Sequence, residues 1–267
     1  MTVNELYQEL DQLAPFSDQE DWDNSGLQVG RSDWKADRVL LCVDVTKEVI
    51  DQAVEWKADV ILSHHPLIFH GLDSVSDRNF VGERILRLAE KHIAYIAMHT
   101  CFDKYGMRDA IDQRLGFSRG ELFLSDGRRN PTPCRPLDEK AMMGSLSDLD
   151  QEVTLEEICR KVKEGFDLPN VRIFGDPKKP IRRIAVIGGS GKSEIQNALD
   201  AKADLLITGD IDHHSGIDAV TQGLCVMDAG HYGLEHVFMD YMEEALHLRL
   251  PDLSVKKMPV KEPFLVL

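Results

Sequence analysis

The sequence predicts an α/β protein in which two related α/β halves form one protomer. Three observations predict it. Arg38-Val39-Leu40-Leu41-Cys42-Val43, a helical stretch and then Lys57-Ala58-Asp59-Val60-Ile61-Leu62-Ser63 read as strand, crossover helix and strand. The pattern returns without a gap 145 positions later, as Arg183-Ile184-Ala185-Val186-Ile187-Gly188 and Lys202-Ala203-Asp204-Leu205-Leu206-Ile207-Thr208. Each copy is extended by one more apolar run, Ile93 to Met98 in the first and Leu224 to Met227 in the second. Runs this apolar and β-branched suit the buried strands of a parallel sheet.

In chain order, Val3, Leu6, Tyr7, Leu10 and Leu13 recur at helical spacing and stop before Pro15, so the chain opens with an amphipathic helix. The run Asp23-Asn24-Ser25-Gly26-Leu27-Gln28-Val29-Gly30 is rich in turn residues, and its two glycines would let backbone approach a ligand closely. After the first βαβ unit, Ser125 to Asp150 is rich in Gly, Pro, Ser and charge, with Pro131, Pro133 and Pro136 close together. The domain boundary is expected near its start. Residues 1–125 with 230–267 form the first expected domain, carrying most of the metal-ligand residue types, and 126–229 form the second. Thr154-Leu155-Glu156-Glu157 is a capping box opening a helix that Gly165 can close, and a strand follows around Val171 to Phe174. Gly188-Gly189-Ser190-Gly191-Lys192-Ser193 imitates a phosphate-binding loop, but that pattern needs glycine five residues before Gly191, where Val186 stands. A tight strand-to-helix turn is the expectation, with a weak anion site at the helix start as the alternative.

Composition narrows the function classes. A chain of 267 residues can bury one large core or two modest ones, and 43% hydrophobic with 29% charged residues argues against extensive disorder. A net charge of −15 repels phosphate backbones and anionic lipid, so nucleic acid and membrane are not expected partners. Without an apolar run long enough to cross a bilayer, and with Thr2 to Ala14 amphipathic rather than signal-like, the cytoplasm is the expected compartment. The five scattered cysteines form no Cys-x-x-Cys pair, which predicts reduced thiols and no structural disulfide.

The chemistry-bearing residues cluster where an α/β sheet gathers ligands, beyond the carboxyl ends of its strands. His64 and His65 follow one apolar run, His99 and Asp103 follow another, and His231 follows a third, with Glu235 four residues on and therefore on the same helical face. Imidazoles and carboxylates in this proportion suit borderline divalent metals such as zinc, iron, manganese, cobalt or nickel. The set is large enough for two divalent ions per chain, placed at strand C-terminal ends, with His64, His65, Asp103, His231 and Glu235 as ligands. Asp103 and Glu235 are the candidates for bridging the pair, and which histidine serves which ion stays open. A dinuclear site activates water near neutral pH for attack on phosphorus or carbon, so a hydrolase is expected. His99 is either an acid/base group beside the site or an ordinary buried histidine. Alternation along an extended segment would turn Cys101 away from the side shared by His99 and Asp103, leaving it an inert thiol. Asp210, His213 and His214 occupy the place in the second copy that His64 and His65 hold in the first, facing substrate or lying in a solvated loop.

Asp23 to Gly30, Ser63-His64-His65-Pro66-Leu67-Ile68-Phe69, His99-Thr100 with Asp103, Thr208-Gly209-Asp210, and Asp228-Ala229-Gly230-His231-Tyr232 with Glu235 are motifs in a recognisable order. Over nearly the whole chain they resemble the dinuclear-metal hexameric proteins catalogued as GTP cyclohydrolase 1 type 2 homologues, also called the Ngg-one-interacting-factor-three-like family. The resemblance implies a two-domain protomer, a toroidal homohexamer built as a trimer of dimers, and a two-metal site on the five ligands named above. Within these motifs, Asn24, Gln28, Asp210 and Tyr232, together with His214, are the candidates for contacting a small-molecule substrate of nucleotide type. Cys101-Phe102, Gly233-Leu234 and Arg108 depart from the family's commoner residues without touching a ligand, and bear on substrate preference. GTP ring opening is the activity the family name suggests, with metal-activated water attacking C8 of guanine and His99 assisting. The alternative is a non-catalytic metal-binding or metal-delivery protein, or a regulatory ring scaffold.

Overall fold

The computed structural model describes residues 1–116 and 144–266. Its strands are β1 (Gly26–Val29), β2 (Arg38–Cys42), β3 (Val60–Ser63), β4 (Ala94–Ala97), β5 (Ser145–Thr154), β6 (Arg172–Phe174), β7 (Pro180–Ser190), β8 (Leu205–Gly209), β9 (Cys225–Asp228) and β10 (Ser254–Lys257). They form two five-stranded sheets, ordered β1-β4-β3-β2-β10 and β5-β7-β8-β9-β6. Contacts group Met1–Gly106 with Phe238–Lys261 into one compact unit, and residues 107–116, 144–237 and 262–266 into another.

The expected boundary at 125 and the prolines 131, 133 and 136 lie outside the described residues. Ser145–Thr154 is an edge strand, paired antiparallel with β7. The chain returns to the first unit at Phe238 rather than at 230, because the helix His231–Glu235 packs on the end of β7, where Gly188 and Gly189 lie against Glu235.

In each unit the repeat forms the parallel centre of the sheet, β2-β3-β4 in the first and β7-β8-β9 in the second. The identical Lys-Ala-Asp in both copies has a physical cause. Lys57 and Lys202 follow the crossover helices Lys47–Trp56 and Ile195–Asp200 and turn the chain with φ of 58° and 57°. Ala58 and Ala203 are buried beneath the turn. Asp59 Oδ2 then accepts the backbone N–H groups of Asp37 and Arg38, both at 2.9 Å, and Asp204 Oδ2 accepts those of Arg182 and Arg183 at 2.9 and 2.8 Å. In each half one carboxylate thus accepts from two successive backbone donors, Asp37 and Arg38 at the start of β2 and Arg182 and Arg183 within β7.

The edges differ. β1 and β6 lie antiparallel beside β4 and β9, so four strands match in order and direction. The fifth strand does not: β10 runs parallel to β2, whereas β5 runs antiparallel to β7. Leu40, Ile61 and Tyr95 anchor the core of the first unit, and Ile187, Leu206 and Val226 that of the second.

The opening helix is Val3–Leu13, with Thr2 and Glu5 forming a capping box and Val3, Leu6 and Leu10 buried. Thr154 and Glu157 cap Leu155–Gly165 in the same way. One expectation is corrected and one is sharpened. Gly26–Val29, read as part of a turn-rich loop, is a strand, because Gly26, Leu27 and Val29 pair with β4. The run Gly188 to Ser193 does make the expected tight passage from strand to helix, with the turn at Gly191: β7 continues to Ser190, which pairs with Gly209, and the helical turn Lys192–Glu194 leads into Ile195–Asp200. Cys42, Cys101, Cys159 and Cys225 are free thiols, as expected, and Cys134 lies outside the described residues. Among the described residues no helix is long and apolar enough to cross a membrane.

Candidate metal centre

In the first unit β3 ends at Ser63, and the next two residues are imidazoles. The carbonyl of His65 accepts hydrogen bonds from Ser63 Oγ at 2.7 Å and from the buried Tyr95 hydroxyl at 2.6 Å, which fixes this strand end. His64 is fully buried and donates from Nδ1 to the Met98 carbonyl at 2.9 Å. A carbonyl only accepts, so the His64 proton resides on Nδ1 and Nε2 is its acceptor nitrogen. His65 Nδ1 meets Asp44 Oδ1 at 2.9 Å, and His99 Nδ1 meets Asp23 Oδ1 at 2.8 Å. Burial opposes the charge on Asp23, but hydrogen bonds from His99 and Thr100 outweigh it and hold the carboxyl well below the usual carboxylate range. Asp23 is therefore the acceptor in this pair, and His99 carries a proton on Nδ1 as His64 does.

One ring nitrogen from each of His64, His65 and His99 lies within 4.8 Å of the others. Asp103 adds an oxygen, its Oδ1 standing 3.5 Å from His64 Nε2. Carboxylate or carbonyl partners behind metal-facing imidazoles are the usual support of a metal site, since they fix ring orientation and raise ligand basicity. The donor set is nitrogen-rich with one carboxylate, which fits a borderline divalent ion. Cys101 lies within the helical turn Thr100–Phe102, not in an extended segment, yet the expected outcome holds. It is fully buried, and burial pushes its thiol up to about 12, so it is a neutral packing group.

Asn24 and Gln28, the expected substrate contacts, hold backbone in this structure. Asn24 Nδ2 donates to the Ile68 carbonyl at 2.6 Å, and the Gln28 amide both donates to that carbonyl at 3.3 Å and accepts from Ile68 N at 2.8 Å. Together they pin the segment that follows His65.

In the second unit Gly230, with φ of 83°, starts the helix His231–Glu235 directly after β9. The Asp228 carboxylate accepts from the backbone of Ile211 and Gly230, each at 3.1 Å, and from Arg172, which sets the approach to His231. The four-residue spacing brings His231 Nε2 to 3.1 Å from Glu235 Oε2. Behind the ring, Asp210 Oδ2 meets His231 Nδ1 at 2.7 Å. The pair rests on glycine. A Cβ on Gly189 would stand 2.3 Å from Glu235 Oε1 and 3.4 Å from His231 Nε2, and Gly189 has φ of 66°. A Cβ on Gly209 would meet the His231 backbone nitrogen at 2.5 Å. The glycine run that imitated a phosphate loop is thus the floor beneath a histidine and a carboxylate. Of the remaining candidates, His214 sits beside His213 in the exposed first turn of His213–Thr221, and Tyr232 stacks on His236 with ring centres 6.1 Å apart.

The structure therefore assembles His64, His65, His99 and Asp103 in the first unit, and Asp210, His231 and Glu235 in the second. Sequence reasoning missed Asp23 and Asp44 as imidazole supports. The available signal was an acidic residue just beyond an apolar run: Asp44 lies two residues past β2 and Asp210 directly follows β8.

Comparison with known proteins identifies the family. The family model Duf34/NIF3 (NGG1p interacting factor 3) matches residues 1–263. A Clostridium acetobutylicum protein named GTP cyclohydrolase 1 type 2 homolog is 32% identical over 272 residues, covering 100% of this chain and 95% of its own length. A Clostridium perfringens protein of the same name is 32% identical, covering 99% of both chains. The crystal structure of Staphylococcus aureus protein SA1388 is similar with a TM-score of 0.86 at 26% identity, over 100% of this chain and 99% of that one. With motifs, fold and full-length similarity in agreement, the chain belongs to the Duf34/NIF3 family.

Proposed function

We propose that this protein holds two divalent metal ions on His64, His65, Asp103, His231 and Glu235 and hydrolyses a small substrate of nucleotide type. The observation that carries this reading is the common support of the imidazoles. His64, His65 and His231 each have Nδ1 engaged by a carbonyl or carboxylate, leaving Nε2 as the coordinating atom, and Asp23 holds His99 by Nδ1 in the same way. Four imidazoles oriented alike, accompanied by Asp103 and Glu235, are hard to account for as ordinary core packing. Zinc, iron, manganese, cobalt and nickel all suit such donors. A bound pair of ions would polarise a substrate oxygen and lower the pKa of water for attack near neutral pH.

The protein's own residues supply the rest. His99, held by Asp23 with its proton on Nδ1, offers Nε2 as the atom that accepts and returns a proton. Asp44 and Asp210 keep His65 and His231 oriented. The name shared by the two clostridial relatives makes GTP the first substrate to test. The same reading includes a homohexameric ring built as a trimer of dimers and a cytoplasmic location. Steady-state assays of metal-loaded protein should show GTP turnover that disappears in Glu235→Ala. No turnover by the parent, or full turnover by the variant, would overturn the hydrolase reading.

A further inference from the structure

Two large aromatic side chains stand in the open beside the histidine cluster of the first unit. Trp22 is 54% exposed and Phe69 is 40% exposed. A single exposed ring is ordinary, but two in contact make an apolar patch, the kind of surface feature that marks a contact site. Both touch His99. The Trp22 and Phe69 rings meet the imidazole edge-on, with centres 5.8 and 6.1 Å away and interplanar angles of 75° and 66°. They meet each other at 5.9 Å with a tilt of 47°, so they form a corner rather than a closed stack.

Each wall of the corner is tethered independently. His99 is fixed by Asp23 through Nδ1, and the Asp23 carboxylate also binds both the backbone N–H and the hydroxyl of Thr100. Phe69 follows Ile68, whose backbone is clamped on both sides by the Gln28 amide and again by Asn24. Three hydrogen bonds between two side chains and one residue's backbone are many for an ordinary loop. Its effect is to hold Phe69 against the imidazole that clusters with those of His64 and His65.

We infer that Trp22 and Phe69 form a binding corner for a planar heteroaromatic ring, such as a nucleobase, and present it beside His99. The chemistry follows from the rings. An aromatic face accepts any flat π-system by stacking, and the two walls restrict how that system lies. This inference deepens the proposed function by assigning the ring-recognition part of the substrate, and it rests on that reading only for what the ligand meets beyond His99.

Calorimetric titration of the full-length, metal-loaded protein with GMP, and in parallel with ribose 5-phosphate, tests it. GMP should bind, and ribose 5-phosphate, which lacks the ring, should bind at least about ten-fold more weakly. Trp22→Ala and Phe69→Ala should each weaken GMP about ten-fold, while Trp22→Phe should stay close to the parent. Metal content and particle size should be unchanged in all three variants. Equal binding of the two probes, no binding of GMP, or unaltered affinity in both alanine variants would overturn the assignment. A fall in particle size on Trp22→Ala would also overturn it, by making the corner a contact between copies of the chain. Ring-dependent GMP binding in a protein that retains no metal would support the corner while sinking the metal-centre reading.

Discussion

In the first half, His64 and His65 directly follow β3, and Asp44 stands behind His65; in the second, β8 ends in Gly209 with Asp210 directly after it, and Gly189 occupies the position equivalent to Asp44. The shared framework is close: the same Lys-Ala-Asp turn, the same pair of hydrogen bonds to the preceding strand, and the same order of four strands. The difference lies in where the imidazole comes from. In the first half it comes from the strand end itself, and the neighbouring strand supplies the supporting carboxylate. In the second it comes from the helix after β9, so β8 supplies the carboxylate and β7 has to shrink to glycine to make room for Glu235. One scaffold thus keeps the carboxylate–imidazole pair while changing which strand provides each partner.

The largest expected effect concerns those pairs. Asp44→Ala and Asp210→Ala should each weaken metal binding by about 10–100-fold, the usual consequence of removing a partner that orients a ligating histidine. Competition against a chelator of known affinity measures it. Similar losses would confirm that the two carboxylates do the same work, and a loss confined to one would break the equivalence.

Gly189→Ala probes the feature that the halves do not share. The new methyl group would sit against Glu235 Oε1 on a backbone with positive φ, so urea unfolding should report a loss of about 2 kcal/mol together with reduced metal content. Gly116→Ala is the control, because φ is also positive there at 60° and a Cβ meets nothing within 4 Å among the described residues. It should cost only about 1 kcal/mol, with metal content intact. Equal effects at the two positions would show that crowding of Glu235 is not what glycine avoids.

A smaller effect tests the shared framework. Asp59→Ala and Asp204→Ala should each cost about 1 kcal/mol by leaving two backbone N–H groups to water. Denaturant midpoints that shift by clearly different amounts would mean that the repeated Lys-Ala-Asp performs different work in the two halves.

Much of this organisation was legible because it is local or strictly periodic. Helical spacing and a capping box marked Val3–Leu13 and Leu155–Gly165, and gap-free repetition marked the paired βαβ units. The five proposed ligands stood out as residue types placed just after apolar runs. What escaped depends on distant partners. Ser254–Lys257 has little apolar character and becomes a strand only by pairing with β2 across most of the chain. Gly26–Val29 resembles a turn until β4 is placed beside it. Asp23 and Asp44 are two acidic residues among many until His99 and His65 are brought to their carboxylates. Gly188 and Gly189 invited a phosphate-loop reading because a sequence does not reveal which side chain a missing Cβ accommodates.

The most direct test of the metal-centre account is metal stoichiometry per chain, by elemental analysis of protein purified without chelator or metal-affinity resin, alongside His64→Ala and Glu235→Ala. The account predicts close to two divalent ions in the parent and markedly fewer in both variants. Well under one ion in the parent even after reloading, with no change in either variant, would contradict it.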